Sequence, residues 1–521
     1  MNSMSDTDSL SPLAWIFVLT VALYLRSFFA WRMRSGGVPL PPGPKAWPFI
    51  GNLPQVPRSK PWIGYRDLCS VYGDIVYVRL LSQPIVVLGN PEVISECLDK
   101  SSAITSDRPQ SPLIRLIGCG QNFGLLPYGR LWRHHRSLFS QYFSSGVIWK
   151  YQDVQRAAAH KFLARLLKSP ARFKEHIRHN FSSALLKIVY DIDAADEDDP
   201  YIAQIDVALE GIAQGLVPGK YLVELVPALS YVPSWFPGTG WQKLFSKWRA
   251  AQEGLRRALF AHVKEEPTAG CSVVSELLES MERTGFAGST RKEEEEVIQS
   301  LGSVTFEAGA DTTLSTFQAV FVAMTLYPEV LKKAQAELDS VVGLTRLPDF
   351  SDQPALVYVN AIIKEALRWH NVVPLCIPHS LSEDDEFHGY FMPKGTVILP
   401  NIWACMRDPE AYGDPDEFRP EQFIRNGQLD PSVRDPAKFV FGFGRRICPG
   451  RYIAEASLFI NVASVLHTFD IAPPLDEHGR PVKIVPGMTD GLLSYPQDVR
   501  CTIKPRSPWA EALIRRYVEE F

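Results

Sequence analysis

Near the amino terminus, Leu13 to Leu25 is apolar except for Thr20, and after Arg26 and Ser27 the apolar character resumes through Phe28, Phe29, Ala30 and Trp31. A run of this length nearly spans a bilayer, which needs roughly 20 residues. Asp6 and Asp8 precede it, and Arg26, Arg32 and Arg34 follow. That charge order is wrong for a cleaved signal peptide and right for an anchor whose basic side stays cytosolic. The pattern divides the chain into a lumenal terminus (1–12), a transmembrane anchor (13–31), a basic and proline-rich hinge (32–44) and one cytosolic body (45–521). The hinge ends in Pro39-Leu40-Pro41-Pro42-Gly43-Pro44, whose prolines exclude helix and favour a stiff, extended connector.

Beyond the hinge, short β-like runs occur at Ile75 to Leu80 and Ile85 to Leu88, with another pair expected between Glu386 and Leu399 around Gly389 and Gly395. Most other long segments carry helical periodicity. No proline falls between Pro267 and Pro328, and there Leu301, Thr305, Ala308 and Thr312 form one stripe. That predicts a long central helix with something for the stripe to face. The segments 107–127 and 218–237 read as irregular surface or lid elements, or equally as plain connecting loops. The fold class is therefore mainly α with a minor β portion, and the chemistry is expected where the central helix meets the carboxyl-terminal third.

Composition narrows the functional classes. With 46% hydrophobic residues and a formal charge of -4, the chain is neither disordered nor suited to nucleic acid. No linker, low-complexity tract or repeat divides it. Its eight cysteines, Cys69, Cys97, Cys119, Cys271, Cys376, Cys405, Cys448 and Cys501, include no C-x-x-C pair, which argues against a zinc site or a disulfide framework. Asn180-Phe181-Ser182 matches a glycosylation sequon that a cytosolic domain would never present to the transferase.

The most informative decapeptide is Phe441-Gly442-Phe443-Gly444-Arg445-Arg446-Ile447-Cys448-Pro449-Gly450. Glycines around a cysteine permit tight turns and close approach to a flat cofactor, and N–H groups aimed at the sulfur stabilise thiolate. The apolar helix after Gly450 adds its positive end, so the Cys448 pKa is expected to fall. The pattern Phe441, Gly444, Arg446, Cys448, Gly450 resembles the haem-binding loop of the cytochrome P-450 superfamily without departure. The resemblance implies that fold, haem b with iron held by the Cys448 thiolate, and an anchored, microsomal fungal type in the endoplasmic reticulum membrane.

Other segments agree. Ala308-Gly309-Ala310-Asp311-Thr312-Thr313 looks like the family's oxygen-activation segment, with small residues admitting ligand, Thr312 placed to hydrogen-bond dioxygen while distorting the helix ladder, and Asp311 to relay protons. Glu365-Ala366-Leu367-Arg368 resembles the structural Glu-x-x-Arg pair; alone it has the spacing of an ordinary helical ion pair. The third member of that network is normally an arginine, but Phe418-Arg419-Pro420-Glu421-Gln422-Phe423 puts Gln422 there, so the triad is weaker or Arg419 compensates from another direction. Trp132 and Arg136 resemble the family's Trp-x-x-x-Arg, and with His379 and Arg446 they are the expected propionate partners.

The implied activity is insertion of one oxygen atom of O2 into a small apolar substrate, with a terpenoid or other secondary metabolite preferred over a fatty acid, xenobiotic or sterol. Ile117, Phe123, Leu125, Leu126, Val304 and Leu492 lie in segments that line family pockets, although core packing is an equally good reading of apolar residues. No Gly-x-Gly-x-x-Gly follows a strand, so NADPH is used indirectly, through a separate cytochrome P-450 reductase and also cytochrome b5. Arg133, Arg445 and Arg451 are candidates for the docking surface. Two alternatives remain at this level: an oxygen-independent haem-thiolate isomerase or dehydratase, against which the Asp311-Thr312 pair counts, and a non-catalytic haem-binding membrane protein, which needs no Thr312.

Overall fold

The computed structural model describes residues 12–217, 219–265, 272–285 and 290–519; the expected lumenal terminus up to residue 11 and Cys271 lie outside them. The central helix spans Arg291–Leu326, and its first turn is closed by a reciprocal capping box between Thr290 and Glu293. At 1.5 Å per residue it is about 54 Å long. Past its charged and largely exposed start at residues 291–296, it is buried on nearly every side rather than amphipathic. It packs against the helices Phe173–Tyr190, Val357–Trp369, Arg451–Thr468 and Gly240–Glu265. Its distal end enters a core of edge-to-face and tilted aromatics, with the Phe317 ring 5.2 Å from Phe321 and 5.7 Å from both Phe162 and Phe181.

The minor β portion is a four-stranded sheet in the order Ile75–Leu80, Gln83–Leu88, Val397–Pro400, His379–Ser380. Its first and last pairings are antiparallel and the middle one is parallel. The middle pairing sets Ile85 opposite Val397, and the edge strand brings His379 opposite Ile398. The hairpin expected around Gly389 joins Asp385–Phe387 to Tyr390–Met392. The segment 107–127 carries one short helix, Pro112–Leu116, and 218–237 carries Leu222–Leu225 and a 3-10 turn at Pro227–Tyr231.

The first helix runs Pro12–Arg34. It meets the body only near its end in the described contacts, where Trp31 lies 5.4 Å from the Phe391 ring and Arg34 Nε donates to Asp384 at 2.6 Å. Trp15, Leu19, Phe28 and Phe29 are exposed. Among the described residues no single helix is long and apolar enough to cross a membrane; several side chains in the most apolar part of this one, Ile16, Phe17 and Val18 among them, are outside the described set.

Candidate active site

Cys448 sits on a loop between the short helix Ala437–Val440 and the helix Arg451–Thr468. The Cys448 N–H donates to Phe441 O at 2.6 Å, which pins the loop across its neck. Two glycines are required by the turn. Gly442 has φ +77° and Gly444 φ +51°, and a Cβ at 444 would come within 2.3 Å of the Leu98 carbonyl oxygen. A Cβ at Gly450 would lie 4.0 Å from the Cys448 sulfur.

The expectation of a lowered thiol pKa is not met by the polypeptide alone. Burial pushes the Cys448 thiol up, and the Gly450 N–H, Arg136 and Arg451 recover only part of that rise. Desolvation of a negative sulfur outweighs the loop's dipoles, so stable thiolate here requires a cation bound to it.

Above the sulfur lies a cavity of about 330 Å³ bounded by the cysteine loop and the central helix. Between Ser300 and Thr325 every residue of that helix is buried except Ala308, Gly309 and Thr312, because those three face the cavity. Gly309 is tight as well as small: a Cβ there would approach Leu185 Cδ1 to 2.8 Å. The Thr312 hydroxyl donates back to Ala308 O at 2.9 Å, and the helix continues unbroken through this turn. The expected ladder distortion is not observed, even though the hydroxyl bonds back to the carbonyl one turn earlier. Of the stripe, Leu301 is core and the other three face the cavity.

Phe123, Leu125, Val304 and Leu492 line the cavity as expected. Ile117 and Leu126 do not. Ile117 is fully buried in a separate cluster with Leu113, Cys119 and Trp248. Leu126 packs at the edge of the cluster around Phe123, and its carbonyl accepts from Arg446 Nη2.

One wall of the cavity is cationic. Arg446 Cζ lies 4.4 Å above the Trp132 ring, a cation–π contact, and its Nε donates to Ser106 O at 2.7 Å while Nη1 is buried without a partner. Arg136 Nη1 donates to Ile447 O at 2.7 Å. His379 Nδ1 donates to Thr105 O at 2.9 Å, and its Nε2 is likewise buried and unpartnered. Arg108, which no motif marks, completes the set: it is buried against the Ile377 and Pro378 carbonyls. Burial and mutual repulsion bring Arg446 down to about 9, and burial brings Arg108 to about 10. A buried guanidinium with an idle donor, with Arg108 and Arg136 nearby, calls for an anionic ligand, while burial holds His379 well below its usual range as a neutral imidazole. The two propionates of a haem would meet that demand, and Cys448, Ala308 and Gly309 line the space such a group would take.

The Glu365–Arg368 pair is fully buried and bidentate, at 2.7 and 2.8 Å. Arg368 also donates to the carbonyls of Met406, Pro415 and Glu417, tying the helix Val357–Trp369 to the meander before the cysteine loop. Gln422 Nε2 donates to Glu365 Oε2 at 2.7 Å, so the amide does occupy the third position, leaving its own Oε1 unpartnered. Arg419 contributes its backbone N–H, 2.6 Å from Glu365 Oε1. Its guanidinium points away, to Tyr412 O and towards Asp414, and does not replace the missing charge.

Asp311 is buried at the edge of the cavity. It is not free: Oδ1 lies 2.8 Å from Arg178 Nη2, and Oδ2 accepts from the Tyr495 hydroxyl. Neither partner carries a sequence signal, because one comes from 133 residues before and the other from 184 residues after in the chain. The sequon residue Asn180 is also internal, donating to Asn461 Oδ1 at 2.8 Å.

A mainly helical body with one cysteine presented on a glycine-bent loop, opposite a small-residue turn of a central helix and beside a propionate-sized cationic wall, defines a haem-thiolate oxidoreductase. The chain belongs to the cytochrome P450 family, whose pattern matches residues 41–496. It is 40% identical to Cytochrome P450 monooxygenase COX2 of Coprinopsis cinerea, covering 93% of each chain, and 38% identical to that fungus's Cytochrome P450 monooxygenase COX1, covering 98% of this chain and all of the other. It is 36% identical to the Tryptamine 4-monooxygenase of Psilocybe cyanescens, over 94% of this chain and 98% of that one. It is accordingly an oxygenating enzyme, a monooxygenase.

Proposed function

We propose that this monooxygenase inserts one oxygen atom of O2 into a small apolar substrate, a terpenoid or another secondary metabolite, using electrons that NADPH supplies through a separate reductase, with cytochrome b5 as a second donor. The observation that carries this reading is the cavity itself, closed below by Cys448 and on one side by Ala308, Gly309 and Thr312, and lined elsewhere by Phe123, Leu125, Val304 and Leu492. Bound haem supplies the iron at which dioxygen is reductively split. Cys448 is the ligand that donates electron density to that iron. Trp132, Arg136, His379, Arg446 and Arg108 hold the propionates, and Phe441 and the glycines let the loop lie close to the ring. Thr312 turns its hydroxyl from Ala308 O into the cavity and passes on a proton drawn from Asp311. Product analysis in reductase-supplied microsomes, against terpenoid, fatty-acid and aromatic-amine panels, tests the reading; product formed without NADPH would instead indicate the oxygen-independent isomerase.

A second substrate reading is favoured by Glu307, a buried acid on the cavity lining whose carboxyl burial raises to about 7, against the Ser303 hydrogen bond and Arg256. An acid there suits a protonated amine, and one relative is named for tryptamine. The aromatic-amine panel separates the two.

Replacing Thr312 with alanine should leave haem content and substrate binding intact while diverting electrons to hydrogen peroxide. A positioned proton donor is worth about 10²–10⁴ in rate, so product per NADPH should fall by at least about tenfold. Peroxide, product and NADPH measured together decide it; unchanged coupling would make Thr312 merely structural.

The anchor and the endoplasmic reticulum location are part of the proposal. They are supported by the exposed apolar side chains on the first helix and by Arg32 and Arg34 in its last turn, with Arg26 after the main apolar run. Deletion through Trp31 should release much of the protein from membranes with haem incorporation preserved. Fractionation with a haem spectrum checks both, and a folded soluble truncation lacking haem would contradict the separation of anchor and body. Arg133 and Arg445, both packed over the Tyr128 ring at 5.5 and 5.3 Å, and Arg451 are the proposed reductase contacts.

A further inference from the structure

Asp311 is held from two sides, and only one of its partners can pass on a proton. A guanidinium such as Arg178 has donors but no acceptor and does not release its proton, whereas a phenol both donates and accepts. Arg178 is occupied on its other edge by Asp206, at 2.9 Å, whose side chain is 54% exposed. Tyr495, Arg178 and Asp206 line an open basin of about 960 Å³ on the outer face, between the helices Gln152–Lys168, Phe173–Tyr190 and Pro200–Gly215. Asp311 and Thr312 line the inner cavity. One phenol and one carboxyl therefore separate solvent from the cavity.

The loop that carries Tyr495 is firmly fixed. Leu492 N–H donates to Ala213 O at 3.0 Å, Ser494 N–H to Val372 O at 2.8 Å, and Ser494 O accepts from Ser315 Oγ at 2.7 Å. The hydroxyl is thus preorganised against Asp311 rather than resting there by side-chain mobility. Burial and Asp311 push the Tyr495 phenol up, opposed by Arg178, with Asp206 the remaining charge facing it. It stays a hydroxyl at any physiological pH, able to give and take a proton in one motion.

We propose that Tyr495 is a positioning residue through which protons from the outer basin reach Asp311 during turnover. The proposal rests on the monooxygenase reading, in which substrate, O2, two electrons and two protons become hydroxylated product and water. In the step concerned, basin water protonates the phenol oxygen as the phenol's own proton passes to Asp311 Oδ2. Solvent neutralises the hydroxide left outside, and no electron moves. The protonated carboxyl then turns towards Thr312.

The test compares the full-length, haem-loaded wild type with Tyr495→Phe, Asp311→Asn and the double variant, each supplied with reductase. Tyr517→Phe, on the same basin rim, is the control and should behave as wild type. Tyr495→Phe should keep its haem content and thermal midpoint, yet lose about tenfold or more of its product per NADPH, with a larger solvent isotope effect and an altered pH profile of coupling. The double variant should be no worse than Asp311→Asn alone. Wild-type coupling, isotope effect and pH profile in Tyr495→Phe would overturn the proposal, as would lost stability with those three readouts unmoved, or losses that multiply in the double variant. Oxygenated product from the wild type is read in the same assay, so an enzyme that makes none defeats the monooxygenase reading, while a wild-type-like Tyr495→Phe defeats only the role of the tyrosine.

Discussion

Cys448→His should abolish both the strongly red-shifted Soret band of the reduced carbon monoxide complex and product formation. The substitution exchanges an anionic sulfur donor for a neutral imidazole, and it is the negative sulfur that produces the shifted band and favours O–O cleavage. The surroundings make the loss harder to evade. Arg136, Arg451 and the Gly450 N–H all favour negative charge at this atom against the rise that burial causes, whereas Cys376, which also lines the cavity and is likewise raised by burial, has one arginine, Arg108, and the Ile377 N–H opposing that rise. A reduced carbon monoxide spectrum of the variant checks this, and a retained red-shifted band would mean that another cysteine is the ligand.

Arg368→Ala should be the most damaging single change away from the cofactor. It leaves Glu365 fully buried with only the Gln422 amide and the Arg419 N–H, and it orphans the carbonyls of Met406, Pro415 and Glu417. Breaking a buried pair from one side costs about 3–5 kcal/mol. The expected result is a large fall in unfolding free energy and in haem bound per chain, read by thermal denaturation and the Soret absorbance. Gln422→Ala should cost less, about 1–3 kcal/mol, as one hydrogen bond to a charged group. If Arg368→Ala were as stable as Gln422→Ala, the pair would not be the structural tie described.

Much of this was legible from residue order. The strand Ile75–Leu80 falls on the short β-like run read there, and the central helix where the absence of proline allowed it. The cysteine loop was legible because its chemistry is local: glycines, arginine and sulfur within ten residues. What escaped were groups whose meaning depends on distant segments. Arg108 is one arginine among many until folding sets it against Ile377 and Pro378, and Tyr495 is unremarkable until its loop meets Asp311. For Ile117 the choice between cavity wall and core stayed open because such residues look alike in sequence; packing against Trp248 decides for the core. Gln422 shows a third kind of limit. The sequence revealed the departure from arginine, but whether amide or neighbouring guanidinium filled the gap was a matter of direction.

The cationic wall also makes the stability of the folded chain depend on an anionic cofactor. Arg108 and Arg446 repel each other inside the protein, and the carboxylate of Asp107 beside them is engaged by the N–H groups of Arg108 and Tyr128. A dianionic cofactor that binds only the folded chain adds about 4 kcal/mol at a thousandfold excess over its dissociation constant. When porphyrin runs short, that increment disappears first from newly made chains, which then unfold more often and are cleared by proteases. Enzyme abundance would thus track iron and porphyrin supply with no transcriptional sensor involved.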